Sequence, residues 1–295
     1  MREHEMSTVN MVVIGEFLWD CAVEEGGHVV ETPAGAPYNF ARHFRELKGE
    51  TYLISAVGRD DDAKGMMKAF ESADLRGELG YSDLPTGKAV VHAALDGSNC
   101  FEIVSPAAWD DISYSETMSL ALSRSQAIYF GTLAQRSVIS RETIRRLVCE
   151  AGDAKKLRVL DVNLRAPYDD PDVIRWSLAH ADLVKYSRDE VMRLYEIVMG
   201  EPGDDSEALA KALFEKYGVS SVIESMDKLG AREWHSDGEL AFVVAPDVDP
   251  VSTVGAGDAF LACYMVNRLA NMDFWMALQQ AVNYASSVVA GDKDA

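Results

Sequence analysis

Three small residues followed by a carboxylate stand just ahead of an apolar run in Val251-Ser252-Thr253-Val254-Gly255-Ala256-Gly257-Asp258-Ala259-Phe260. Gly255, Ala256 and Gly257 leave their backbone amides unobstructed. Where such a loop opens a helix, those amides sit at the positive end of the helix dipole and suit phosphate oxygens. Asp258 projects from the same turn, where a carboxylate can take a proton from an attacking hydroxyl while the donor's charge is compensated nearby. The chemistry indicated is phosphoryl transfer with Asp258 as base. A plainer reading stays open on these residues alone: small residues let a helix start close to a strand, and Asp258 is an exposed acid in its first turn.

The elements that must position this turn are legible around it. The run from Ala259 to Val266 is apolar on nearly every side, which predicts a buried helix, and Ala245-Pro246-Asp247-Val248-Asp249-Pro250 ahead of it reads as turns. Near the start, Met11-Val12-Val13-Ile14-Gly15 reads as a buried strand of a parallel sheet. Asp20 follows close to its end, where ligands of open α/β sheets collect, and is a candidate for holding substrate hydroxyls; a solvated loop acid is the alternative. Pro33-Ala34-Gly35-Ala36-Pro37-Tyr38-Asn39-Phe40 reads as a glycine turn running into a helix, with Asn39 facing the cleft or capping the turn.

The remaining chain alternates. Strands are expected at Thr51 to Val57, Ala127 to Gly131, Arg158 to Val162, Leu183 to Lys185 and Ser221 to Glu224, with helices between them and an edge hairpin from Arg232 to Val244. Asp60-Asp61-Asp62 reads as a helix N-terminus rather than a metal site. Two stretches break the rhythm. A glycine turn at Gly26-Gly27 and an Asp96-Gly97 turn predict hairpins at about 21–34 and 84–106, a small sheet that could act as a lid and exclude water. The 295 residues therefore read as one α/β domain over 1–295 with a lid inserted in it.

Charge narrows the partners. Against 28 Lys plus Arg stand 48 Asp plus Glu, a net charge of −20, which repels nucleic acid and anionic membranes and favours a small metabolite. No apolar run is long enough to span a bilayer, and Cys21, Cys100, Cys149 and Cys263 have no paired metal-ligand spacing. Reduced thiols, mostly in the core, and a cytoplasmic location are expected.

Taken in order, these pieces resemble the PfkB carbohydrate kinase family, the ribokinase-like sugar kinases, and within it the fructokinase-like branch. The resemblance runs from about Gly15 to Gly291. Its strongest element is Thr253-Val254-Gly255-Ala256-Gly257-Asp258-Ala259-Phe260. Gly15-Glu16-Phe17-Leu18-Trp19-Asp20, Gly35-Ala36-Pro37-Tyr38-Asn39-Phe40-Ala41, Pro85-Thr86-Gly87, Ala108-Trp109-Asp110, Leu133-Ala134-Gln135-Arg136-Ser137 and Asp161-Val162-Asn163-Leu164-Arg165 follow the branch's order.

The resemblance implies a ribokinase-like, doubly wound, mainly parallel sheet flanked by helices, with a small β-sheet lid. It implies ATP and magnesium as well as a sugar, with fructose to fructose 6-phosphate the preferred pair. It places sugar hydroxyls on Asp20, Gly35 and Asn39, the anion hole at Gly255, Ala256 and Gly257, Arg165 near the transferred group, and Asp258 as base. Ser187, Glu190, Ser225, Asp227 and Asn283 fall on the nucleotide side, with Glu190 organising magnesium indirectly. Lid sheets of the family pair between subunits, so a homodimer is expected.

The departures fall on the nucleotide side. Ser187 stands where the family's Asn-x-x-Glu has asparagine, Ser225-Met226-Asp227 where it has Thr-x-Gly, and Ser252 where an acid associated with a monovalent cation precedes the main signature. If Asp227 faces the phosphates, unit charges about 4 Å apart repel by about 4 kcal/mol at an effective dielectric near 20, unless magnesium or a lysine offsets them. Two other readings therefore stand beside the kinase: a sugar-binding or regulatory protein of kinase descent with impaired ATP use, and a kinase for another sugar, a sugar acid or a nucleoside.

Overall fold

The computed structural model describes residues 10–23, 29–93 and 99–292. In chain order the first half runs β1 (Asn10–Ile14), β2 (Leu18–Val23), β3 (Val29–Ala34), α1 (Ala36–Glu46), β4 (Glu50–Val57), α2 (Asp61–Ser72), β5 (Arg76–Tyr81), β6 (Gly87–Ala93), β7 (Asn99–Ile103), α3 (Glu116–Ser123), β8 (Ala127–Gly131) and α4 (Val138–Asp153). The second half runs β9 (Leu157–Asp161), α5 (Pro171–Ala179), β10 (Leu183–Ser187), α6 (Val191–Met199), α7 (Ser206–Tyr217), β11 (Ser221–Ser225), β12 (Ala231–His235), β13 (Leu240–Val243), α8 (Ala256–Leu269) and α9 (Phe274–Val289).

The large sheet has nine strands in the order β13-β12-β11-β10-β9-β8-β1-β4-β5. All neighbours from β11 to β5 run parallel, and β12 and β13 close the other edge as an antiparallel hairpin. Successive residues of each central strand feed opposite cores. Val12, Ile14, Ile128 and Phe130 join the core under α3 to α7, whereas Met11, Val13, Ala127 and Tyr129 join the one under α1, α2, α8 and α9. Both faces are covered, which is why these strands read as continuous apolar runs.

Strand order reverses between β1 and β8, since β1 leads to β4 and β5 on one side while β8 begins the march to β11 on the other. A crevice at the carboxyl ends of the strands is the consequence of such a reversal.

The second sheet has the order β3-β2-β6-β7. It consists of two antiparallel hairpins joined by a parallel pairing of β2 with β6, Leu18 opposite Gly87. The two predicted hairpins thus form one small sheet, as expected. Its first strand begins at Leu18, earlier than the sequence boundary at about 21. The Gly26-Gly27 and Asp96-Gly97 turns lie outside the described residues. Trp19 of β2 fastens the lid to the body: its indole Nε1 donates to the Asp62 carbonyl at 3.3 Å and its ring packs on Gly65. Lys88 of β6 bridges Glu31 at 3.1 Å and Asp62 at 2.9 Å.

At the lid's base Asp60 caps α2, accepting from the Ala63 amide at 3.0 Å, and also accepts the Thr86 amide and hydroxyl at 2.8 and 2.6 Å. The acidic run is a helix start, as read from the sequence. Cys21 and Cys263 are buried free thiols, and Cys149 is exposed. Among the described residues no helix is long and apolar enough to cross a membrane.

Candidate active site

The 255–258 turn opens α8 above the carboxyl ends of the sheet. Gly255 is the residue before the helix, with φ of 77°, the left-handed region where glycine is favoured. Ala256, the first helical residue, donates its amide to the Thr253 carbonyl at 3.3 Å, and the amides of Gly257 and Asp258 follow in the first turn at the helix's positive end. From Ala259 to Met265 every residue of α8 is buried, so the turn is anchored by the core on all sides.

Asp258 is held from across the chain: the Asn39 Nδ2 donates to its Oδ2 at 2.9 Å. Asn39 lies in the first turn of α1, whose N-terminus faces the same crevice, and the helix is set by Pro37 in its first positions and by Phe40 and Phe44 in the core. Asp258 is half-buried, with surface left open to the cleft. The protein packed around it pushes its carboxyl up to about 7, and Asp161 adds to the shift, while the Asn39 hydrogen bond, Lys185 and Arg165 oppose it. A carboxylate in that range suits a base working near neutral pH.

Gly35 is forced to be glycine. Its φ is 112° and a Cβ there would stand 2.4 Å from the Glu16 carbonyl oxygen. Glu16 in turn accepts the Ala36 amide at 3.2 Å. This buried acid is a site residue that sequence reasoning did not single out. Burial pushes its carboxyl up to about 7 against backbone hydrogen bonds and the charge of Arg165, with Asp258 raising it further. Asp20 sits on lid strand β2 opposite Thr32 and Ala89, half-buried, and burial raises its carboxyl. Its carboxylate makes no hydrogen bond to another of the described residues.

Arg165 is exposed on the loop after β9, donating to the Leu164 carbonyl at 2.9 Å. Its charge is felt by both Asp258 and Glu16. Asn163 turns this loop with φ of 43°, a local role, whereas Asp161 belongs to the site itself. Its Oδ1 accepts from the Lys185 Nζ at 3.1 Å and its Oδ2 from the Tyr129 hydroxyl at 3.3 Å. Lys185 is the second residue missed, and the available signal was a lysine inside an otherwise apolar buried strand.

Among the residues expected on the nucleotide side, Glu190 is hydrogen-bonded through both carboxylate oxygens. It accepts the Leu164 amide with one oxygen, and the Ser187 amide and hydroxyl at 2.6 and 2.8 Å with the other. It thereby ties the Arg165 loop to the end of β10, and Ser187 serves it as a partner. A carboxylate has about four lone-pair sites. Three donors leave room for a magnesium-bound water, which fits a cation held mainly by phosphates. No cluster of three or more acids, histidines or cysteines forms a metal cage among the described residues.

Ser225 lies at the end of β11, its hydroxyl 3.5 Å from the Tyr186 carbonyl, and Asp227 starts the short turn that follows with φ of 48°. Glu224, fully buried, pairs with Arg232 at 2.9 Å and Arg188 at 3.5 Å, and Arg188 reaches Met226 at 3.8 Å. Asn283 is exposed on α9, paired with Gln279 at 3.2 Å. Ser252 is exposed and accepts the Val254 amide at 3.3 Å.

A glycine turn, a carboxyl raised toward neutrality and a helix N-terminus at a topological switch point agree with the comparison of the whole chain, which matches the pfkB family of carbohydrate kinases over residues 8–293. The chain belongs to that family. It is 28% identical over 265 residues to aminoimidazole riboside kinase of Salmonella typhimurium, covering 87% of this chain and 80% of that one. It is 27% identical over 274 residues to fructokinase-2 of Zea mays, covering 88% and 80%. The structure of aminoimidazole riboside kinase from Salmonella enterica, complexed with aminoimidazole riboside and an ATP analog, superposes with a TM-score of 0.79 at 24% identity, covering 96% of this chain and 94% of that one. This pfkB carbohydrate kinase therefore carries the ribokinase-like fold, with fructokinases and a riboside kinase at similar distance.

Proposed function

We propose that the protein transfers the γ-phosphoryl group of ATP to a hydroxyl of a small sugar, with magnesium neutralising the phosphates, and that fructose is the preferred acceptor, giving fructose 6-phosphate. The observation that carries this reading is Asp258, its carboxyl pushed up to about 7 and fixed by Asn39 in the first turn of α8. A sugar hydroxyl bound there gives its proton to Asp258 as its oxygen bonds to phosphorus, and the bond to the ADP oxygen breaks. The amides of the 255–257 turn and Arg165 stabilise the charge on the transferred group. Asp20, Gly35 and Asn39 hold the sugar. Ser187, Glu190, Ser225, Asp227 and Asn283 line the ATP side, with Glu190 placed to hold magnesium through water.

Fructose rests on the fructokinase-like order of motifs and on the maize relative. A riboside is the second reading, favoured by the equally similar Salmonella enzyme. Membership of the pfkB carbohydrate kinases favours ATP use over a purely sugar-binding role. Free cysteines suit a cytoplasmic enzyme, and Val29 and Val30, exposed on lid edge β3, suit pairing of two copies through their lids.

The test is ADP release from magnesium-ATP over a panel of sugars, sugar acids and ribosides, with potassium present and absent. Turnover on fructose above all others is expected, and a riboside preferred over fructose would replace the acceptor. No turnover on any acceptor, with a sugar still raising the melting temperature, would favour the sugar-binding reading.

A further inference from the structure

Lys185 is a cation without an evident structural need. It lies in β10 between Val184 and Tyr186, both packed in the core, and is itself 6% exposed. Its register partner on β9 is Asp161, and the two form a buried pair at 3.1 Å. Burial works against its charge, yet Asp161, Glu190 and Asp258 together hold the ammonium's pKa above its ordinary value. A buried ion pair is a weak source of stability, because both charges give up water and an apolar pair of similar volume does as well.

Its position suggests another use. Lys185 points to the same face of the sheet as Asp161 and Tyr129, the face covered by α8. A Cβ on Gly257 would stand 3.3 Å from its Nζ, so the ammonium abuts the middle of the anion-binding turn from below. Of its three N–H donors, one goes to Asp161 and no other finds a partner among the described residues.

We propose that Lys185 is a positioning residue of phosphoryl transfer, charging the 255–257 turn from beneath so that it favours the transferred group while Asp258 stays available as base. The assignment rests on the kinase reading above. In the low-dielectric space under α8 a fixed cation acts strongly and needs no reorganisation as charge moves onto the turn. It acts through the turn and Asp258 and does not touch the sugar, so the KM for sugar is left alone.

The test compares Lys185→Met with Lys185→Met/Asp161→Asn, the second removing both charges so that no buried carboxylate is left unpaired. The single variant moves the acidic limb of the kcat/KM profile to higher pH, because Asp258 loses a neighbouring cation. In the double variant the limb moves back, since position 161 then carries no charge to repel Asp258. Its plateau kcat stays down by about 100-fold with sugar KM unchanged, the scale of losing one anion-hole donor. If the single variant does not fold, the double variant decides. A folded double variant with kcat within about threefold of wild type, or with only KM altered, would overturn the proposal and leave Lys185 as a partner of Asp161. A wild-type chain inactive on every acceptor overturns the kinase reading itself, and this assignment with it.

Discussion

Asn39 and Asp258 meet at 2.9 Å although 219 positions separate them in the chain. The amide fixes the carboxyl's orientation at the mouth of the crevice and offsets part of the cost of its charge.

Replacing Asp258 with asparagine keeps the shape and removes the base. ADP release should fall by about 10²–10⁴-fold, the usual worth of general-base catalysis, with the melting temperature maintained. Normal turnover would rule out Asp258 as the base.

The pH dependence of kcat/KM follows from the same residue. With its carboxyl pushed up to about 7, Asp258 is protonated and inactive below that pH and becomes a base above it. The profile should rise through about pH 7 and then level. A limb near pH 4 would mean that the protein around the group does not desolvate it in solution as the structure implies.

Glu16 should oppose stability in alkali. Its folded pKa, about 7, lies above the ordinary 4.5, so the native state holds a proton that the unfolded chain has lost between those values. Stability is greatest below the lower value and declines as pH rises through the upper one. Glu16→Gln, which keeps an acceptor for the Ala36 amide, should therefore raise stability at about pH 8.5 by up to about 3 kcal/mol. Denaturant titration at about pH 4 should show the gain gone.

Two glycine substitutions should separate strain from clash. At Gly255 only the Asn39 amide lies within reach of a new methyl, at 3.7 Å, so alanine costs the left-handed backbone penalty of about 1–2 kcal/mol. At Gly35 the same change drives a methyl to 2.4 Å from a backbone oxygen and should collapse sugar binding as well as lower the melting temperature. Equal effects of the two would contradict this packing.

Glu190→Gln tests the clamp between the Arg165 loop and β10. The three donors that face its carboxylate lose a charged acceptor, each such bond worth about 1.5–3 kcal/mol. The KM for magnesium-ATP should rise and kcat fall, with sugar affinity unchanged in calorimetry. A shift confined to sugar affinity would detach Glu190 from the nucleotide side.

The central sheet was legible because Met11 to Ile14, Ala127 to Gly131 and Ser221 to Glu224 are buried on both faces, the pattern of a strand covered by helices on each side. Strand β5 escaped: Arg76, Gly77, Glu78 and Gly80 break any apolar pattern, and its place is fixed by pairing with β4 at the sheet edge. The glycine turn that opens α8 and the helix start around Asn39 were legible from short motifs. Lys185 and Glu16 were not, because nothing local shows that a lysine on β10 and a glutamate after β1 both come close enough to Asp258 for their charges to interact with it. The pairing of buried Glu224 was hidden for the same reason, since Arg188 comes to it from just after β10 and Arg232 from β12.

The parallel pairing of β2 with β6 makes the small sheet a single leaf. Because four strands share one hydrogen-bonded ladder, neither hairpin can lift alone without breaking backbone bonds to the other. Trp19 and Lys88, one from each hairpin, both fasten to Asp62 and act as its latch. Any movement of this sheet against the body is then a movement of the whole leaf, and loosening either fastening should change the protection of both hairpins' amides alike.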